Sequence, residues 1–322
     1  MKRFKNILYV ADSSGVVLKA FHHAVRLAER NNAQLTVVVV MERIPPYLTR
    51  LTPHMFRQAR IKEFRASLNR LCEWVAGRVE VEAKIIEGKP FLEVIREVLR
   101  NGRDLVIKSA DNHSDVVGRL FGTTDMHLLR KCPCPVWLIR QSETLSIRRI
   151  MAAVDFNELD PSGSDTAEAL NRMILEISGS LAFLERGEFH IVHAWEEIGE
   201  DLMRSGRTRI DEKEVDSYIR EVRLRHRRWL DRVLRRARKW IGPETYDQVK
   251  PKTHVPKGPA EEAIPALAHK LKVDLVVMGT VARTGIPGLI IGNTAESILS
   301  QMDCSVLTVK PPGFVTPVTL EE

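Results

Sequence analysis

Short apolar runs alternate with amphipathic stretches along the whole chain. Residues 7–11 (ILYVA) form a run closed by Asp12, and residues 20–28 follow with apolar positions at helical spacing. Residues 35–41 are valine-rich and predict a strand buried on both faces. Ile61, Phe64, Leu68, Leu71 and Val75 share one face of a long helix. Val79, Val81, Ala83 and Ile85 alternate with polar residues, as in a strand nearer a sheet edge. Gly88 and Pro90 break the chain ahead of a helix over 91–99. A short strand over 105–107, a helix over 124–130 and a strand over 136–139 complete the series. Five strands joined by helical crossovers predict a doubly wound, mainly parallel sheet.

The pattern then repeats. Asp104-Leu105-Val106-Ile107 returns as Asp274-Leu275-Val276-Val277 at an offset of 170, which also carries Gly88 to Gly258, Gly122 to Gly292, Cys134 to Cys304 and Val136 to Val306. At the front, residues 7–12 return as 150–155 at an offset of 143, so the second copy is 27 residues longer in its first half. Two tandem α/β domains follow, residues 1–143 and 147–322, each with a five-stranded, flavodoxin-like sheet and joined by a short polar linker. The extra length of the second copy holds a polar turn over 157–164 and a long helix. On that helix Val215, Ile219, Val222, Trp229, Val233, Ala237 and Trp240 make an apolar stripe, and His226 falls within it as a core histidine.

Residues 274–307 are the most informative stretch. Leu275 to Met278 make a buried run ended by Gly279, and Gly285, Pro287, Gly288 and Gly292 exclude a regular helix from the segment that follows. Asn293 then opens a helix, with Glu296 at capping-box spacing. A strand that passes through glycines into a helix N-terminus is the way α/β proteins build anion sites, because free N–H groups of the first turn point at the ligand.

Charge changes the picture at one place. The net charge of the 322 residues is +7, but residues 220–240 alone carry ten Arg or Lys against Glu221 and Asp231, a local +8. A solvated helix face is the preferred reading of that run, with a nucleic-acid surface as its rival. Cys132 and Cys134 lack zinc or thioredoxin spacing, which leaves Cys72, Cys132, Cys134 and Cys304 as structural thiols. No run is long enough for a membrane span, and the N-terminus is too weakly apolar for a signal peptide. His190 and His193 are three apart in a strand and face opposite sides, so they do not share a metal. No Walker motif or triad pattern stands out, and a dedicated catalyst is not expected.

Gly279, Ala282, Gly292 and Asn293 keep the spacing of the nucleotide loop of the universal stress proteins, a family whose loop reads Gly, two residues, Gly, nine residues, Gly, then Ser or Thr. The run HLLRKCPCPVW at 127–137, the stretches 279–286 and 292–296, and Thr316-Pro317-Val318 further resemble the tandem-domain subgroup of universal stress protein E. The resemblance implies HUP-type domains, a cytoplasmic stress-response role, and ATP or ADP as ligand, with Mg carried by the phosphates. It places an aspartate at the end of each first strand, Asp12 and Asp155, beside the adenine and ribose, and backbone at Val40 and Ala194 against adenine. The loop of the second copy then supplies Met278, Gly279, Ala282, Arg283, Gly292, Asn293 and Thr294. In the first copy these positions are Ser109, Asn112, Gly122 and Thr123, a degenerate loop whose neighbours Asp111 and Asp115 oppose a phosphate, so the first copy is not expected to bind ATP in the family manner. Ala282 and Asn293 depart from the pattern in the second copy, which leaves a non-nucleotide, apolar ligand or a protein- or nucleic-acid-interaction role through residues 215–240 as alternatives. The resemblance also implies that the two domains pair within the chain as family subunits do in dimers. Apolar loop residues Ile286, Leu289, Ile290 and Ile291 offer a surface for that pairing or for a homodimer. A slow ATPase activity stays open.

Overall fold

A computed structural model describes residues 3–12, 18–43, 53–111, 121–140, 146–156, 165–197, 199–205, 210–280 and 292–320. In chain order the elements are β1 (Asn6–Ala11), α1 (Leu18–Asn31), β2 (Gln34–Met41), α2 (Pro53–Val75), β3 (Val81–Glu87), α3 (Pro90–Asn101), β4 (Leu105–Ser109), α4 (Thr123–Lys131) and β5 (Val136–Ile139). They continue as β6 (Arg149–Ala153), α5 (Asp165–Glu185), β7 (Glu188–Val192), α6 (Glu200–Arg204), α7 (Glu212–Ile241), α8 (Pro243–Val249), β8 (Lys252–His254), α9 (Ala260–Leu271), β9 (Leu275–Gly279), α10 (Asn293–Gln301) and β10 (Ser305–Val309). The chain divides into two compact units. The first is Met1–Leu145 with Thr280–Gly292 and Asp303–Glu322; the second is Ser146–Gly279 with Asn293–Met302.

The strands of the first unit run in the order β3-β2-β1-β4-β5-β10. The first five are parallel, and β10 lies antiparallel to β5, with Val306 opposite Leu138 and Thr308 opposite Val136. The strands β1, β2 and β4 are buried along almost their full length, as expected of strands covered on both faces, whereas β3 at the edge is only half-buried. In the second unit the order β8-β7-β6-β9 repeats that of β3-β2-β1-β4, again all parallel. This α/β architecture of tandem doubly wound domains is the one the periodicity predicts.

The repeated aspartates have a structural task. In the first unit Asp104 accepts hydrogen bonds from the backbone N–H of Lys5 at 2.6 Å and Asn6 at 3.1 Å. In the second, Asp274 accepts from Arg148 and Arg149, both at 2.8 Å. Each carboxylate thus satisfies the amides that open the neighbouring strand, which would otherwise lack partners. Gly258, with φ +125°, holds a turn that a side chain would strain, just ahead of α9.

The long helix α7 buries Val215, Val222, His226, Leu230, Val233, Ala237 and Ile241. It packs on α5 and on α8. Gly179 of α5 makes room for Ile241, whose Cδ1 would lie 2.8 Å from any Cβ placed there. The charged positions of the helix face outward. Its N-terminus is capped by Asp211, which accepts from the amide of Lys213 at 3.1 Å.

Candidate functional site

In doubly wound sheets a ligand crevice opens outside the carboxyl ends of the strands, where the strand order reverses. In the second unit that point lies between β6 and β9. The pairing of Ala152 with Val277 and of Ala153 with Val192 extends to bring Asp155, Ala194 and Gly279 to the same edge of the sheet. Asp155 is exposed there, Ala194 is half-buried and Met278 is buried beneath. Asn171 of α5 fixes the backbone of Asp155 from both sides. Its Oδ1 accepts from the Asp155 amide at 3.0 Å, and its Nδ2 donates to the Asp155 carbonyl at 2.8 Å. Gly279 has a packing reason of its own, because a Cβ at this position would sit 2.6 Å from Cδ2 of Leu170.

The helix α10 begins at Asn293, with Asn293 and Thr294 exposed in its first turn. Gly292 therefore precedes the helix, and the capping-box reading of Asn293 with Glu296 is displaced by one residue: the third helical position is Ala295, whose methyl group has no hydrogen-bonding atom to return to the cap. Gly292 itself clusters with the first unit, where its amide donates to the carbonyl of Thr280 at 3.0 Å. Ala282 and Arg283 lie outside the described residues, as do the other loop residues 281–291 and the first-copy positions Asn112 and Asp115.

The first unit treats the equivalent positions differently. Gly122 caps α4, and the third helical residue is Asp125, buried, whose Oδ2 accepts from the amides of Gly122 at 3.3 Å and Asp111 at 2.8 Å. A carboxylate of the protein thus sits buried at the start of α4, bonded to the cap amide and to the amide of Asp111. Lys108, the equivalent of Met278, is also buried. Its Nζ lies 3.1 Å from Asp125, 3.8 Å from Asp12 and in contact with Asp111. Burial would lower the pKa of this ammonium, but the three carboxylates more than offset it and hold it above its ordinary value. Burial likewise raises Asp12 and Asp125, with Lys108 pulling both back. Ser109 and Val40 are buried at the ends of their strands, and Thr123 is exposed.

A cluster that spacing did not reveal stands next to Asp155. Phe156, His193, Trp195, His226 and Trp229 form a group of rings, with Phe156 and Trp229 centroids 5.0 Å apart and His193 and Trp229 4.7 Å apart. His193 Nε2 and His226 Nδ1 are 2.8 Å apart, and His193 Nδ1 lies 3.3 Å from the Val154 carbonyl. A carbonyl only accepts, so Nδ1 of His193 carries the hydrogen; with that ring neutral, His226 Nδ1–H donates to its Nε2. His226 is the core histidine expected from its place in the stripe. His190, on the other side of the strand, pairs with His254 at 3.0 Å. Burial and a neighbouring positive charge hold both of those imidazoles below their ordinary pKa. Among the described residues no group of three His, Cys, Asp or Glu could hold a metal ion, and no helix is long and apolar enough to cross a membrane. Cys132 and Cys304 are buried, while Cys72 and Cys134 are half-buried.

Comparison with known proteins matches the universal stress protein family profile twice, over residues 3–140 and 146–310. Universal stress protein E of Escherichia coli K12 is 29% identical over 328 residues, covering 100% of this chain and 99% of the relative. A homologue of it from Haemophilus influenzae is 28% identical, covering 96% and 98%. Among solved structures, a protein of unknown function from Pseudomonas aeruginosa has a TM-score of 0.68 at 23% identity, covering 96% of this chain and 94% of that one. A universal stress protein from Archaeoglobus fulgidus has a TM-score of 0.59 at 16% identity, covering 94% and 98%. Both share the fold.

Proposed function

Because the chain belongs to the universal stress protein family, with two such domains in tandem, we propose that its second domain holds a nucleotide of the ATP or ADP type. The protein then works in the cytoplasm as a binding and regulatory component of a stress response and not as a dedicated catalyst. One contrast carries this reading. The crevice of the first domain holds its own anion and cation, Asp125 and Lys108, whereas the second domain has Ala295 and Met278 at the same positions. A phosphate at the α4 N-terminus would have to displace a buried carboxylate. At α10 the equivalent residue is a methyl group, and the N–H groups of the first turn suit a phosphate. In this reading the Asp155 carboxylate accepts hydroxyl hydrogens of a ribose, a role supported by its exposure at the strand end and by the hold of Asn171 on its backbone. Any Mg would arrive on the phosphates.

Met278 and the ring cluster beside Asp155 favour a second reading, in which a flat apolar molecule replaces the nucleotide. Mass spectrometry of the small molecules released from native protein by mild denaturation separates the two. ATP or ADP released from the wild type and lost in Asp155→Ala supports the nucleotide. A released apolar molecule, or calorimetry showing no ATP binding to emptied protein, rejects it.

A further inference from the structure

The arginine-rich helix α7 has no role in the nucleotide reading. Its apolar side is spent on α5, yet its outer face carries a long array of cations. Arg228, Arg232, Arg235 and Lys239 follow one another at helical spacing of four, three and four residues, all exposed. Arg220 and Arg227 flank them and are also exposed. None of these six has an ion pair or hydrogen bond to a side chain among the described residues. Others on the same helix are neutralised: Arg236 pairs with Glu168, and Arg238 with Asp247 at 2.7 Å. Glu221 and Asp231 are the acids in the run. From Arg220 to Lys239 the array extends about 28 Å at the rise of an α-helix.

We infer that the outer face of α7 is a docking surface for the phosphate backbone of duplex DNA. Charge complementarity selects the class of partner. Arginine predominates over lysine, and its planar fork matches phosphate oxygens in pairs. An anionic membrane suits the array less well, because a helix that lies on a bilayer must insert its apolar face, and Val222, Leu230 and Val233 are buried on the protein side. Single strands need several exposed aromatic rings for stacking, and on α7 Trp229 and Trp240 are half-buried while Tyr218, beside the array, is exposed at 37%. A rigid row of charges on one straight helix fits the phosphate backbone of a duplex, a contact that carries no sequence preference.

The test is a fluorescence-anisotropy titration of a 30-base-pair duplex with the full chain across a salt series. With about five phosphates contacted, affinity should fall roughly 500-fold between about 50 and 200 mM salt. The triple variant Arg228→Glu, Arg232→Glu and Arg235→Glu should lose at least about 50-fold at the low-salt end, while the triple Arg→Lys variant stays within about fivefold of wild type. These positions are exposed, and circular dichroism checks that α7 is retained; the triple Arg→Gln variant serves if the reversal does not fold. Absence of binding at low salt overturns the inference. So does binding that the charge-reversed or Arg→Gln protein keeps, or tighter binding to phosphatidylserine vesicles or to single-stranded DNA. None of these outcomes depends on whether the second domain binds a nucleotide.

Discussion

Asp104 and Asp274 each close two backbone amides at the start of a neighbouring strand, and each should be costly to remove. Asp274→Ala leaves the amides of Arg148 and Arg149 without their charged acceptor, a loss of about 2 kcal/mol that urea unfolding followed by circular dichroism should show. Asp274→Asn should recover part of it. The sequence displayed these residues as a matched pair at one offset, but pairing at an offset does not say what a side chain touches. A second residue-scale prediction concerns His23 of α1, buried beside Trp137 and facing the charges of Arg26 and His22. Burial, then Arg26 and His22, push its pKa from the usual 6.5 down to about 4. Above the ordinary value the imidazole is neutral in both states and its contribution is fully present. As pH falls from about 6.5 towards 4 the unfolded chain takes up a proton that the folded one refuses, and stability drops by about 3 kcal/mol. His23→Gln should flatten the stability profile across that window; an unchanged profile would show that His23 is not its source.

At the scale of elements, β4 and α4 of the first domain are tied by the buried Lys108 and the carboxylates of Asp12, Asp111 and Asp125. Lys108→Met strands those carboxylates and should destabilise the first domain by about 3–5 kcal/mol. Adding Asp125→Ala, which gives this domain the residues that the second has at Met278 and Ala295, should restore much of that loss in the same unfolding experiment. A double variant no more stable than the single one would mean that the cluster holds the domain by something other than charge balance. Strands and helices here were legible because periodicity reports burial, and β1, β2, β4 and α7 are amphipathic or apolar in the manner their packing requires. The cluster was not, although the charge of Asp111 alone marks it as hostile to a phosphate. Its members come from the end of β1 at Asp12, from β4, from the turn after β4 and from α4, and no local spacing announces that one lysine will lie among all three acids. The start of α10 at Asn293 is where the sequence puts it, but its cap is not legible for a related reason: Asn293 and Gly292 are both acceptable caps, and propensity alone does not choose between them.

On the scale of the whole molecule, duplication gives two domains of one fold with different fates at the same crevice. The tandem repeat, the family and the candidate aspartates were visible in the sequence, because strand-ending residues keep their register through a duplication. The aromatic wall of Phe156, His193, His226 and Trp229 was not, because it joins the ends of two strands to the middle of a helix more than thirty residues away. The measurement that bears most directly on the account is the stoichiometry of ATP binding by isothermal calorimetry on ligand-free full-length protein. One site per chain is expected, lost in Asp155→Ala and unchanged in Asp12→Ala. Two sites per chain, none, or a single site that Asp155→Ala leaves intact would contradict it.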